Sequence, residues 1–322
     1  MINLAIFGPG GWGRRLVNAI QGSSDQVRFT RAVTRTPSNH ELFARENGLT
    51  LSEGLGEALE DPSIDGVVVA GPSPLHAEMG LKALAAEKHT MIIKPMALHR
   101  SDAEALRDIA KRDGLVLAMG HDRCFLPAVA ELRRRVAAGD LGRLVHAEGD
   151  FCVSRYFNLS QGDWKSENAN SPPGSLADHM LYTMIELLGP VECLSVQARH
   201  LAAPVEFLDT ASVSLGFASG ATGSLTAIGV TPSFERLHIF GTEGWAEIRG
   251  GDRFELRPRT GDPSVVEFPK ADLLKHQLES FAAAINGESP YPVTPENAVA
   301  GVAVLEALTR SAESGQVVRV ME

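Results

Sequence analysis

The first residues in the chain able to do chemistry stand together, as Gly8-Pro9-Gly10-Gly11-Trp12-Gly13. Gly8, Gly10 and Gly13 spell G-x-G-x-x-G between an apolar run and a helical pattern. In that setting the three glycines permit a tight turn, close approach of the backbone to a pyrophosphate, and close packing of helix on strand. The helix start then presents its free amide groups to the anion. The chemistry implied is dinucleotide binding. An NAD site usually carries an acidic residue about 20 positions further on, where it accepts from the ribose 2'-hydroxyl. Here the second strand instead ends in Val33-Thr34-Arg35-Thr36. A guanidinium and two hydroxyls therefore lie where a 2'-phosphate would sit, and the expected cofactor is NADP in preference to NAD.

The elements that must position this turn follow from the pattern. Short β-branched runs at Ile2 to Phe7, Val27 to Val33, Gly66 to Ala70, His89 to Ile93 and Leu115 to Met119, with a weak one near Leu49 to Leu51, alternate with helical stretches. That alternation predicts a doubly wound parallel sheet, a Rossmann domain over residues 1–121. Ser101-Asp102-Ala103-Glu104 reads as a capping box opening one of its helices. Beyond a helix over Pro127 to Ala138 the texture changes. Strands follow strands at Leu144 to Phe157, Ser195 to Leu201, Ala211 to Phe217, Gly223 to Val230 and Leu237 to Ile248. Helices are expected at Ser175 to Leu188, Ala271 to Asn286 and Thr294 to Ser314. Residues 122–322 thus read as an α+β substrate and oligomerisation domain with a mainly antiparallel open sheet, and the whole chain as α/β.

Composition narrows the function classes. The 322 residues are 44% hydrophobic and 22% charged, with a formal charge of -10. That balance gives room for two cores and argues against phosphate-backbone binding as the main task, so no nucleic acid is expected. No apolar run approaches the ~20 residues that span a bilayer. Met1-Ile2-Asn3 passes directly into the first strand without a basic leader, so no membrane partner and a cytoplasmic location are expected. Cys124, Cys152 and Cys193 suit neither a disulfide framework nor a zinc ribbon and read as buried thiols. Arg133-Arg134-Arg135 reads as a solvated helix face. No His, Cys, Asp or Glu cluster has ligand spacing, so no metal is expected.

Three further segments carry a family likeness. They are Val67-Val68-Val69-Ala70-Gly71-Pro72-Ser73-Pro74-Leu75-His76, the stretch Gly80-Leu81-Lys82-Ala83-Leu84, and His89-Thr90-Met91-Ile92-Ile93-Lys94-Pro95. Together they resemble the Gfo/Idh/MocA oxidoreductases, whose pattern is A-T-P-N-x-x-H, an alanine-rich helix, then E-K-P. Gly120-His121-Asp122-Arg123-Cys124-Phe125-Leu126-Pro127 is similar to the family's domain junction. Gln277-Leu278-Glu279-Ser280-Phe281-Ala282 with Pro292-Val293-Thr294 resembles its C-terminal signature. The resemblance implies hydride transfer between a nicotinamide and a hydroxyl-bearing carbon of a sugar, polyol or related small molecule. It places Gly71, Pro72, Ser73, His76, Lys94 and Pro95 at the cofactor, with Lys94 also hydrogen-bonding the reacting oxygen. The family's glutamate before the lysine is replaced by Ile93.

The resemblance also implies a second catalytic element, a D-x-G-x-H helix, which falls on Pro172 to Tyr182 in two registers. Counted forward from Gly174, Asp178 takes the aspartate's place and Tyr182 the histidine's. Counted back from Leu187-Leu188-Gly189-Pro190, His179 is the histidine and Ser175 stands at the aspartate. His179 would titrate near neutrality, whereas Tyr182 would rely on Lys94 to acidify its phenol. Asp178 could orient a partner under either count.

Substrate contacts are expected from His121 and Arg123, and from the segment holding Arg155, Trp164 and Lys165, where a tryptophan could stack on a sugar and a cation bind hydroxyls or a carboxylate. If the outer face of the C-terminal sheet is apolar, as the resemblance implies, a second copy covers it, giving a homodimer or homotetramer. Two other readings stay open. One is a dehydrogenase of a hydroxylated acid or ring-cleavage product, with Arg155 or Arg123 on the carboxylate. The other is a nucleotide-sensing regulator of the same fold without turnover.

Overall fold

A computed structural model of the chain describes residues 1–161 and 173–321. In chain order its elements are β1 (Ile2–Phe7), α1 (Gly11–Ile20), β2 (Val27–Val33), α2 (Glu41–Glu46), β3 (Thr50–Ser52), α3 (Gly56–Leu59), β4 (Gly66–Val69), α4 (His76–Ala85), β5 (His89–Ile93), α5 (Arg100–Asp113) and β6 (Leu117–Gly120). They continue as α6 (Pro127–Ala137), β7 (Leu144–Cys152), α7 (Pro173–Leu188), β8 (Val191–Arg199), β9 (Thr210–Phe217), β10 (Thr222–Ile228), β11 (Phe234–Gly241), β12 (Gly244–Arg249), β13 (Arg253–Pro258) and β14 (Ser264–Glu267). Helices α8 (Leu273–Ile285) and α9 (Pro295–Ser314) and a short strand β15 (Val318–Arg319) close the chain. The chain packs as two units: Met1–Asp122 with Asp272–Val299, and Arg123–Ala271 with Ala300–Glu322.

In the first unit all strands are parallel, in the order β3-β2-β1-β4-β5-β6. Leu4, Ala5, Ile6 and Phe7 in β1 and every residue of β4 are buried, as a sheet covered on both faces requires. The order reverses at β1 and β4, which opens the crevice where doubly wound sheets bind ligands. On α1, Gly13, Leu16, Val17 and Ile20 form the buried stripe, spaced at one helical turn. Two expectations are corrected here. Helix α5 begins at Arg100 without a side-chain cap, and Glu104 pairs with Arg100 at 2.9 Å one turn away, so the capping box does not form. The segment Asp272–Val299, expected in the second domain, packs with the first unit. Gln277 on α8 is buried and donates to Met91 Sδ, Ser24 Oγ donates to Glu279, and Lys275 Nζ donates to the Ser23 carbonyl at 2.6 Å.

The second unit is built on one sheet in the order β14-β13-β12-β11-β7-β10-β9-β8-β15, antiparallel except where β7 runs beside β10. The run Leu237 to Ile248, expected as one strand, is the hairpin β11–β12, and β13 and β14 extend the sheet further. One face carries Ala147, Phe151, Leu225, Leu237, Ile239, Ala246, Ile248 and Phe254, all buried. Helix α7 lies on it at Gly149, where a Cβ would stand 2.7 Å from Met180 Cβ and 2.9 Å from Met184 Cε. Arg133 is not solvated: it reaches from α6 to Glu186 on α7 at 2.5 and 2.7 Å and to the Cys124 carbonyl. Cys193 is only half-buried, while Cys124 and Cys152 are buried.

The opposite face of this sheet is mixed, where an apolar one was expected: the His238 ring stacks on Phe240 with centres 3.9 Å apart and meets Trp245 edge-on at 4.8 Å. On β9 and β10 it presents Ser212, Ser214, Thr222, Ser224 and Thr226. On β7, β11 and β12 it presents a charge cluster in which Arg236 meets Glu148 at 2.7 Å and Asp150 at 2.8 Å.

Inside this unit α9 crosses Tyr182 at Gly301, where a Cβ would overlap the ring and lie 2.7 Å from Cζ. Alanine normally stabilises a helix interior relative to glycine by about 1 kcal/mol. Gly301→Ala is expected to do the reverse, lowering stability by about 1 to 3 kcal/mol through overpacking. Thermal melts of wild type, Gly301→Ala and Gly301→Ala/Tyr182→Leu check this; the reading fails if the single variant melts no lower than wild type.

Candidate functional site

The turn after β1 is shaped by what its glycines touch. Gly8 has a φ of +91°, and a Cβ on it would stand 2.8 Å from both the Cα and the N of Gly71, at the end of β4. A Cβ on Gly13 would overlap the Gly8 carbonyl. Gly10 and Gly11 have nothing within 4 Å. Two glycines are thus demanded by packing, and the other two leave open space over the first turn of α1. That is the arrangement a pyrophosphate needs, with backbone amides and the positive end of a helix exposed to it. Pro9 is buried beneath the turn, and the half-buried ring of Trp12 is covered by the Arg15 guanidinium at 4.4 Å.

At the end of β2, Thr34 Oγ1 accepts from the Thr36 amide at 3.3 Å, while Arg35 projects exposed. Two residues that the sequence reading missed belong beside them. Arg14 on α1 donates to the Pro9 carbonyl at 3.3 Å and meets His40 Nδ1 at 3.2 Å, with its guanidinium 4.9 Å from the centre of the Phe43 ring. Burial, and then the charge of Arg14, hold His40 below the usual histidine range. The signal was local: Arg14 follows the last glycine of the motif.

Lys94 leaves the C-terminal end of β5 half-buried, and its amide donates to the Gly120 carbonyl at 3.1 Å. The Lys94–Pro95 peptide is cis. Pro72 and Ser73 lie on the turn into α4, exposed and half-buried. His76 differs from the expected cofactor contact: its side chain is 0% exposed, with Nδ1 2.7 Å from the Pro95 carbonyl oxygen and Nε2 2.9 Å from that of Gly71. His121, just after β6, is likewise buried.

On α7 in the second unit, the two candidates for proton transfer sit in different surroundings. Tyr182 is 2% exposed, and burial, followed by the charges of Asp178 and Cys124, raises its phenol far above the ordinary tyrosine value. This is opposite to the acidified phenol expected. Asp178 is fully buried. His179 is half-buried, stacked on Phe151 with ring centres 4.0 Å apart and planes 19° apart. It lines a small cleft with Arg123, Thr183 and Glu235.

Arg123, expected to grip a substrate carboxylate, is bound by both nitrogens to Glu235, with Nη2 to Oε1 at 2.6 Å, and lies 5.3 Å from the Phe151 ring centre. This pairing takes the end-on fork of the guanidinium and offsets its charge, while Nε–H and the outer Nη–H groups remain as donors. Arg155 is exposed on the turn Arg155–Asn158, which Tyr156 anchors by packing under Gly229 and edge-on to Phe207. Trp164 and Lys165 lie outside the described residues. Among the described residues no group of three His, Cys, Asp or Glu side chains could hold a metal, and no helix is long and apolar enough to cross a membrane.

Comparison with known proteins agrees with this geometry. Residues 2–121 match the model of an oxidoreductase family with an NAD-binding Rossmann fold, and residues 129–247 match the GFO/IDH/MocA C-terminal domain. The scyllo-inositol 2-dehydrogenase (NAD(+)) of Bacillus subtilis is 29% identical, over 87% of this chain and 84% of its own. The 1,5-anhydro-D-fructose reductase of Ensifer adhaerens is 25% identical over 94% and 93%. A levoglucosan dehydrogenase solved with NADH shares the fold at a TM-score of 0.88, with 19% identity and 99% of each chain covered. The chain belongs to the Gfo/Idh/MocA family of NAD-binding oxidoreductases, dehydrogenases and reductases that act on CH–OH groups.

Proposed function

We propose that the chain is an NADP-preferring dehydrogenase or reductase of a neutral polyol or sugar-like molecule, in which Lys94 binds the reacting oxygen. The observation that carries this reading is the place of Lys94, on a half-buried turn at the C-terminal end of the parallel sheet whose glycine turn is open for a dinucleotide. The nicotinamide, when bound, takes or gives the hydride. Lys94 Nζ donates to the oxygen on that carbon and steadies the charge developing there. His179 is the α7 side chain assigned to proton exchange, because an imidazole changes charge near neutral pH, whereas the buried phenol of Tyr182 does not. The substrate class is supported by the inositol and anhydrofructose enzymes among the relatives. A hydroxy-acid substrate is disfavoured by the pairing of Arg123 with Glu235, whose charge offsets the cation that would attract a carboxylate. A regulator without turnover is disfavoured by relatives that carry the names of enzymes.

Turnover is tested by following reduced-nicotinamide absorbance with inositols, anhydro sugars, their keto forms, and hydroxy acids of similar size. The expected outcome is activity on a neutral polyol or its keto form. With that substrate, Lys94→Met and His179→Gln each lower kcat by about a hundredfold or more, while Tyr182→Phe stays within about threefold of wild type. Activity confined to acids would overturn the substrate class. Full activity in Lys94→Met would remove its role.

The cofactor preference rests on Arg35, exposed at the end of β2, with Arg14 and His40 near the same turn. A charge-assisted hydrogen bond contributes about 1.5 to 3 kcal/mol. Arg35→Ala is therefore expected to weaken NADPH binding about tenfold or more and to leave NADH within about threefold. Calorimetric titration of both cofactors decides it; equal losses for the two would sink the assignment.

The homodimer or homotetramer is retained as part of the proposal, through the outer face of the C-terminal sheet, which carries charged side chains beside the rings of His238, Phe240 and Trp245. Exposed charge pairs are screened by salt. Sedimentation is expected to show an oligomer that dissociates between low salt and about 1 M salt; a monomer at every salt concentration argues against it.

A further inference from the structure

The buried ring of His76 does something the cofactor reading did not assign to it. Three chain turns leave the C-terminal ends of β1, β4 and β5. The first touches the second directly, since a Cβ on Gly8 would stand 2.8 Å from Gly71. The second and third are joined through His76: Nε2 lies 2.9 Å from the Gly71 carbonyl oxygen and Nδ1 2.7 Å from that of Pro95, the residue after Lys94. His76 is the first residue of α4 and is completely buried, so no water competes for either nitrogen.

Both partners are carbonyls, which only accept. A neutral imidazole carries one N–H, and the second contact becomes a hydrogen bond only when the ring holds both protons. Burial opposes that charge and holds the ring below the usual histidine range despite the pull of the two carbonyls, so the neutral ring hydrogen-bonds one turn through its N–H and braces the other by contact, and donates to both only when protonated. Other side chains of this size would fill the space. Few could approach two carbonyls at opposite ends of one rigid plane.

We propose that His76 is a positioning residue that fastens the Lys94–Pro95 turn to the Gly71 turn, and so fixes Lys94 relative to the glycine turn at Gly8. The proposal rests on the role assigned to Lys94 above, but its first test does not. Misplacement of a reacting group by about 1 Å costs on the order of a hundredfold in rate. A strut of this kind therefore acts on kcat and leaves ground-state binding nearly untouched.

Two variants separate a strut from a packing residue: His76→Leu, which fills the space without hydrogen bonds, and His76→Gln, which keeps a donor. In the protein without cofactor, hydrogen exchange is measured at the Lys94 amide and across the Lys94–Ala97 turn. His76→Leu is expected to speed that exchange about tenfold, with β4 and the body of α4 unchanged, and His76→Gln to fall between it and wild type. In turnover of the polyol identified above, His76→Leu is expected to lower kcat about tenfold or more, with KM and NADPH affinity within about threefold. Placed in a Lys94→Met background, it is expected to lower kcat no further, because the group it positions is gone. Unchanged exchange in His76→Leu overturns the proposal, as does a loosened turn with wild-type kcat or a full additional loss in the double variant. If Lys94→Met itself retains full activity while the turn loosens as expected, the strut stands and the role of Lys94 falls.

Discussion

The first unit depends on one close approach, in which the backbone of Gly8 lies against the backbone of Gly71 with no room for a Cβ between them. Parallel strands β1 and β4 are neighbours, so their C-terminal turns emerge side by side. Any side chain on the first turn would push it away from the second. The left-handed φ of Gly8 and the overlap that a Cβ on Gly13 would make with the Gly8 carbonyl belong to the same constraint. With strand and helix drawn that close, the amides of the first α1 turn face open space. The open space over that turn is a by-product of backbone packing.

The second unit answers a different constraint. Helix α7 is apolar around most of its circumference and must be covered on more than one side. It settles on the sheet where Gly149 lets Met180 and Met184 down onto β7, and it receives α9 where Gly301 makes room for the Tyr182 ring. This placement sorts the side chains of α7 by environment. Tyr182 and Asp178 are enclosed, while His179 is left on the flank against Phe151 and beside the paired Arg123 and Glu235.

Much of this was legible in the residues. The glycine spacing, the β-branched runs of the first sheet and the proline-bounded start of α6 each express a local rule, and each element formed within a few residues of its expected limits. The failures have their origin in competing partners, one of them local and the others distant along the chain. Ser101-Asp102-Ala103-Glu104 obeys a local capping pattern, but Arg100 supplies Glu104 with a cation. Arg133 looks solvated until Glu186 arrives from α7, and Arg123 looks free until Glu235 arrives from β11. Helix α8 follows the second sheet in sequence, yet its buried Gln277 reaches Met91 of the first. Strands β13 and β14 were missed because their alternation of charged and apolar residues is short and their turns are irregular.

On α7, burial separates the two candidates that spacing left open. Spacing alone allowed a histidine or a tyrosine one turn apart, and both are chemically reasonable proton donors. A phenol ionises only if the charge it creates is stabilised. At Tyr182 the enclosure disfavours that charge, and the neighbouring Asp178 adds to the penalty. An imidazole works in either state. His179 lies on the flank of the helix, with one face on Phe151, beside a cleft. Gly301 packs against the Tyr182 ring, so α9 holds Tyr182 in the core while His179, three residues earlier, stays on the flank.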